Sequence, residues 1–190
     1  MSAVLTKPLM TTAELLALPN DGKKRWLIRG ELRENGMTRH NRRHSRTETN
    51  VAYFLSSWLR QRPEPRGEIL TGEAAFRLRQ LPETTVGIDL AFISAELAAA
   101  TPETVFLIDG PPILAVEILS PSNHWEEVTD KVQEYLTAGV ALIWVLDPVF
   151  RTVQVYGPDA KPVLFNDGHE LSGEPHLPGF RVSVADLFAP

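Results

Sequence analysis

The sequence predicts an α/β (α+β) fold in which a mixed central β-sheet is flanked by helices. Three observations lead there. Two short apolar runs, Ile88 to Ile93 and Ile113 to Leu119, have the length and composition of buried strands, and each carries a single acidic residue. From Arg43 to Arg60, apolar residues recur at three- and four-residue spacing, the mark of an amphipathic helix. Strand and helix patterns alternate only through the middle of the chain, which favours a mixed sheet over a regular alternating one.

Taken in order, Thr11 to Leu18 reads as a short helix: Thr11 or Thr12 can cap it, Glu14 lies in its first turn, and Pro19-Asn20 ends it. Trp26 to Arg29 and Glu31 to Arg33 flank Gly30 and suggest two strands joined by a tight turn. The long helix carries Thr47, Val51, Phe54, Leu55, Trp58 and Leu59 on its apolar stripe, and Pro63 follows its end. Glu68 to Leu70 and Ala74 to Leu78 read as strands. After the two apolar runs, a helix is expected from about His124 to Ala138, ended by Gly139. Ala141 to Leu146 is a further strand, stopped by Asp147-Pro148, where Asp147 is a turn former. Thr152 to Tyr156 and Val163 to Phe165 continue as a meander. Leu177 to Phe188 supplies a last strand and a helical turn.

No repeat or low-complexity linker interrupts the chain, so residues 1–190 read as one domain. Hydrophobic residues make up 43% and charged residues 23%, an ordinary globular mixture. The absence of cysteine excludes disulfide scaffolds, Cys-ligated zinc and thiol nucleophiles. The N-terminus lacks a secretory pattern, and no apolar run approaches the ~18 residues of a membrane span, so a cytoplasmic, membrane-free protein is expected. A net charge of −5 argues against non-specific coating of nucleic acid. It leaves room for one basic patch.

The acids in the two apolar runs carry the chemical signal. Strand side chains alternate between faces. Ile88, Leu90 and Phe92 share one face of the first run, and Asp89, Ala91 and Ile93 the other. In the second, Leu114, Val116 and Ile118 share one face, and Ile113, Ala115 and Glu117 the other. Each run thus sends one carboxylate to the side that carries a small alanine. An ionised carboxylate in such surroundings must be paired, hydrogen-bonded or bound to a cation. Two strand-end acids satisfied by backbone amides or arginines would also fit the pattern. On the following helix, Val128, Val132, Tyr135 and Leu136 form the apolar stripe, and Lys131 stands at its edge, one turn before Tyr135. It can face inward, or it can snorkel to solvent.

These residues resemble the Uma2 family of the PD-(D/E)xK, restriction-endonuclease-like superfamily. The resemblance rests on Val116-Glu117-Ile118-Leu119-Ser120-Pro121-Ser122, then Asp130-Lys131, Tyr135, Gly139 and Ile143-Trp144-Val145-Leu146-Asp147-Pro148. It extends back through His44 to Trp26-Leu27-Ile28-Arg29-Gly30-Glu31-Leu32 and forward to Leu177-Pro178-Gly179-Phe180. It implies a restriction-endonuclease-like core and a divalent-metal-dependent endonuclease acting on DNA, with Mg²⁺ (or Mn²⁺) as cofactor and a homodimer suited to cutting two strands. Asp89 and Glu117 would be metal ligands, and the Ile118 carbonyl a third. Lys131 would orient or help deprotonate the attacking water, or neutralise developing charge. Two departures stand out. Ile88 replaces the proline that usually precedes the aspartate. Leu119 occupies the position where most of the superfamily keeps its lysine, so Lys131 on the helix is the substitute.

Residues 39 to 46 contain four arginines, two histidines and no acid. Arg39, Arg42, Arg43 and Arg46 are candidates for nucleic-acid contact, or form a solvated charged segment. His44 falls on the core-facing stripe and matches a family histidine. It either touches the scissile phosphate or is a packed histidine. Glu31 matches a family acidic position, where it contributes to the metal site or is a paired surface acid. Tyr135 and Trp144 read as core. His124, His169 and His176 lack metal-ligand spacing, and no phosphate loop, dinucleotide fingerprint or nucleophile elbow is present. A catalytically silent nucleic-acid or protein-interaction module on the same fold is the main alternative, and loss of a ligand would mark it. Both carboxylates and the lysine are kept. A carboxylate-pair glycosidase finds no recognisable sugar-stacking cleft.

Overall fold

The computed structural model describes residues 8–36, 41–120 and 125–190. Arg39, His40 and residues 121–124, which include the Pro121-Ser122 of the family-like motif and the expected helix start at His124, lie outside the described residues.

The chain opens with α1 (Thr12–Leu16), held by a reciprocal capping box between Thr11 and Glu14. β1 (Lys24–Ile28) and β2 (Glu31–Asn35) form an antiparallel hairpin. Arg29 and Gly30 make its two-residue turn, both at positive φ (52° and 77°), the geometry that matches strand twist. α2 (Arg42–Leu59) follows, capped by the Asn41 side chain. β3 (Glu68–Gln80) and β4 (Glu83–Ile93) form a long hairpin. Then come α3 (Ala95–Ala100), β5 (Leu107–Asp109), β6 (Leu114–Ile118), α4 (Trp125–Ala138) and β7 (Leu142–Asp147). β8 (Thr152–Tyr156) and β9 (Val163–Asn166) extend the sheet, and β10 (Glu170–Ser172), β11 (Arg181–Ser183) and α5 (Val184–Leu187) close the chain.

The main sheet runs β2-β1-β4-β6-β7-β8-β9, with β3 paired to β4 and β5. β6 and β7 are parallel, joined by α4 as a crossover helix, while β4 and β6 are antiparallel. The sheet is therefore mixed and flanked by helices, as expected. Among the described residues no helix is long and apolar enough to cross a membrane.

Two apolar layers hold the sheet. On one face Val51, Leu55, Trp58 and Leu59 of α2 pack on Leu90, Phe92, Leu114, Val116 and Ile118, together with Phe180 and the C-terminal segment. The Trp58 indole N–H donates to the Pro178 carbonyl at 3.0 Å, which docks that segment on α2. On the other face Val128, Val132 and Tyr135 of α4 pack on Ala91, Ala115, Ile143 and Val145. Each fully buried aliphatic side chain contributes about 1.5–3 kcal/mol. Ala91 and Ala115 line the α4 side of the sheet, where Glu117 meets Lys131. Gly139, at φ 91°, ends α4 where an L side chain would be strained.

Some expectations need correction. The two strands predicted at Glu68 to Leu70 and Ala74 to Leu78 are one strand, β3, interrupted by a register shift between Thr71 and Ala74. Ile88 packs with Trp26, Phe76 and Val86 on the α4 side instead of with Leu90 and Phe92. It lies opposite that register shift, and a bulge adds local twist. The first five residues of β4, α3 and β5 had no clear sequence signal.

Candidate active site

Asp89 stands where β4 and β6 part. Their ladder ends at Leu90 opposite Val116. One step further, the Ile118 N–H finds no strand and donates instead to Asp89 Oδ2 at 2.8 Å. The carboxylate thus completes the ladder, and Asp89 is almost wholly buried. His44 reaches the same oxygen from α2, with Nε2 at 3.3 Å. Its position is fixed by the helix start, because Asn41 Oδ1 accepts from both the Arg43 and His44 N–H groups. Asp89 Oδ1 is buried and has no hydrogen-bond partner among the described residues. Burial opposes ionisation of this carboxyl. The His44 hydrogen bond and the nearby Lys24 and Lys131 cations outweigh it and hold the group well below the usual carboxylate range.

Glu117 is buried on the α4 side of β6. Lys131 Nζ donates to both of its oxygens at 2.8 Å and to the Gly87 carbonyl at 2.9 Å. All three ammonium protons are therefore used. The Tyr135 hydroxyl, one helical turn after Lys131, donates to Glu117 Oε1 in a short hydrogen bond. Burial, followed by the charge of Glu117, pushes the Tyr135 phenol well above its ordinary value, so it is a fixed donor.

Lys24 is a second cation of the site. It sits on β1 and donates to Glu73 Oε1 at 2.5 Å. Burial would lower its pKa, but Asp89, Glu117 and Glu73 raise it further, so it stays charged. Three carboxylates therefore face two ammonium groups.

The structure brings together Asp89, Glu117, Lys131 and His44, with the Ile118 backbone between the two acids. Arg42 and Arg43 lie exposed at the start of α2, and Arg46 is half-buried on its flank. Arg39 lies outside the described residues. Glu31 is exposed and pairs with Arg33 at 3.2 Å, away from the cluster. Glu134, a buried acid of α4, belongs to another network: Arg29 and the Thr84 hydroxyl satisfy it at 2.7 and 2.8 Å. Asp147 is a turn former, accepting from the Val149 and Phe150 N–H groups. Tyr135 is core, as expected, but its hydroxyl is also part of the site. Among the described residues, no three His, Asp or Glu side chains gather where together they could hold a metal ion.

Sequence reasoning missed Lys24, Glu73 and the role of Tyr135. Lys24 was findable: it alternates with Trp26 and Ile28, two residues before the expected strand start. Tyr135 stands at i+4 from Lys131, which placed the lysine but not the hydroxyl. Glu73 reaches Lys24 from the irregular stretch of β3, at φ 61°, and no periodicity announces that.

The mixed sheet thus parts over a buried aspartate, with a glutamate and a helix-borne lysine on the adjoining strand and helix. The Uma2 family profile, described as "Putative restriction endonuclease", matches residues 12–185. The chain belongs to that family. Among solved structures, a protein from Anabaena variabilis described as "a putative nuclease belonging to DUF820" superimposes with a TM-score of 0.79. The two share 21% identity, over 94% of this chain and 97% of that one, a likeness of fold. No curated protein matches the chain.

Proposed function

We propose that the protein is a divalent-metal-dependent endonuclease hydrolysing phosphodiester bonds of DNA. The observation that carries this reading is the set of acceptor positions left open in the site. Asp89 Oδ1 has no hydrogen-bond partner among the described residues. Glu117 Oε1 accepts from Lys131 and Tyr135, whereas Oε2 accepts from Lys131 alone. Each carboxylate oxygen offers about two positions, so Oε2 keeps one. In an extended strand a residue's C=O points to the same side as its N–H, which would put the Ile118 carbonyl in the gap beside Asp89. Two carboxylate oxygens and a carbonyl are hard donors that suit Mg²⁺ or Mn²⁺ with retained waters. Asp89, Glu117 and Ile118 would hold the ion. Bound there, it supplies polarisation of a phosphoryl oxygen and a water of lowered pKa.

The chain's own groups do the rest. Asp89 stays ionised, so it serves as a ligand and not as an acid. His44 acts on Asp89 Oδ2, the oxygen away from the open one, and so orients the open one. Lys131 neutralises Glu117 and supplies a fixed positive charge for the crowded phosphorus or the attacking water. Tyr135 keeps Glu117 from rotating. Arg42, Arg43 and Arg46 supply cationic contacts to the DNA backbone. We take residues 1–190 as one domain, and a homodimer as the form that would cut both strands.

Plasmid and single-stranded DNA incubated with Mg²⁺ or Mn²⁺ test this. Cleavage is expected, abolished by chelator and lost in folded Asp89→Ala and Glu117→Ala proteins. Cleavage that survives both substitutions sinks the assignment.

A further inference from the structure

The arginines of this acidic protein are mostly answered by acids. Arg25, Arg29, Arg33, Arg66, Arg77, Arg151 and Arg181 each pair with a carboxylate within 4 Å. Arg43 and Arg46 are among those that are not. Neither has an acidic partner among the described residues, and both face one pocket of about 230 Å³.

Three parts of the fold build that pocket. The first turns of α2 contribute Arg43, Arg46 and Thr47, the turn after β7 contributes Pro148 and Val149, and Arg151 and Phe188 close it. No carboxylate lines it. The acids nearby are engaged elsewhere. Glu48 accepts from the Gly72 N–H at 3.0 Å, Asp147 caps its own turn, and Asp167 takes the Arg151 Nε at 2.6 Å. Arg151 is anchored by the Phe188 and Ala185 carbonyls at 2.9 and 3.3 Å, which fixes the far wall. Asn50 ties the same C-terminal segment to α2 by donating to the Leu187 and Ala189 carbonyls. The wall is therefore braced from both sides. Among the described residues, Arg46 Nε is buried without a hydrogen-bond partner.

We propose that this pocket binds a phosphate group of a nucleic-acid backbone, next to but distinct from the phosphate being cut. Its volume has room for a phosphodiester group and part of its hydration. Arginine forks match phosphate oxygens in pairs. The pocket's register with the catalytic centre follows from α2. His44 looks from the helix's core side onto Asp89, while Arg43 and Arg46 occupy the flank. A helix is ~10 Å across, a span that reaches from one phosphate to a near neighbour on the same strand. The bound phosphate would thus lie a few nucleotides from the scissile one and set the strand's register across Asp89 and Glu117. The nucleic-acid source of the phosphate rests on the nuclease reading, whereas the anion site itself does not.

The test compares the full-length protein with Arg43→Ala/Arg46→Ala and Arg43→Lys/Arg46→Lys proteins of native circular dichroism. Anisotropy of labelled single-stranded and duplex oligonucleotides, titrated at several salt concentrations without metal, reads binding. Thermal shift with inorganic phosphate reads the bare anion site. The alanine pair should weaken oligonucleotide binding about ten-fold. It should also reduce the salt slope by about 0.9 on duplex, one phosphate contact rather than two. The lysine pair should keep the slope and lose affinity. Oligonucleotide binding with an unchanged slope in both variants overturns the pocket and leaves the nuclease reading intact. If no protein binds oligonucleotide but phosphate stabilises only the wild type, the anion site stands and the nucleic-acid reading fails. Phosphate and oligonucleotide responses identical in all three proteins overturn the proposal.

Discussion

Lys131→Met is the substitution whose cost the geometry lets one work out most fully. The ammonium is 6% exposed and the Glu117 side chain 9%, so solvent screens little of their interaction. Removing the ammonium strands Glu117 Oε2 without a donor, leaves Oε1 with Tyr135 only, and frees the Gly87 carbonyl. An uncompensated buried charge of this kind costs about 3–5 kcal/mol, a large part of a domain's ~5–15 kcal/mol. The double variant Lys131→Met/Glu117→Met strands no charge. It leaves only the Tyr135 hydroxyl and the Gly87 carbonyl unmet, for about 1–3 kcal/mol. The second substitution should therefore restore roughly 2 kcal/mol to the first. Urea unfolding followed by tryptophan fluorescence measures all three, with Glu117→Met alone completing the cycle. A Lys131→Met protein within ~1 kcal/mol of wild type, as for an exposed pair, would refute the buried-pair account.

Two further outcomes follow from the same cluster. Asp89 has a carboxyl depressed in the folded protein relative to ~3.9 in the unfolded chain, so its stabilisation is complete above that value and lost as pH falls through the folded one. Denaturant unfolding across an acid series should show a steeper acid loss in wild type than in Asp89→Asn, and parallel curves would contradict the depressed carboxyl. Tyr135→Phe removes one buried hydrogen bond to a charged acceptor and should cost about 1.5–3 kcal/mol. Alkaline spectrophotometric titration should find the Tyr135 phenol ionising only as the fold opens; early ionisation that is lost in the Phe variant would contradict its burial beside Glu117.

What the sequence makes legible is what periodicity encodes. Asp89 and Glu117 interrupt apolar runs; strand alternation sends Glu117 to the side of Ala115, where α4 packs, while Asp89 meets His44 of α2 and the Ile118 N–H. Lys131 and His44 lie on helix faces that a 3.6-residue repeat identifies, and both reach the acids. Helix and strand ends shift by one or two residues because caps and frayed turns set them. Features that depend on non-local geometry were not legible. The parting of β4 and β6 leaves the Ile118 N–H to Asp89, and no local pattern states where a ladder ends. Glu73 depends on a register shift, and Ile88 on the twist beside it. Lys24 was hidden by a strand start placed two residues late. That Arg43 and Arg46 share a pocket with Arg151, more than a hundred residues away in sequence, is likewise a product of the fold.

The central claim is that Asp89 Oδ1 and Glu117 Oε2 are the open ends of a divalent-metal site. Diffraction from crystals grown in Mn²⁺, recorded for its anomalous signal, addresses it directly. The account predicts one peak about 2.0–2.3 Å from Asp89 Oδ1, Glu117 Oε2 and the Ile118 carbonyl, with waters completing the shell. No peak there at saturating Mn²⁺, with Lys131 still bound to both Glu117 oxygens, would contradict the account.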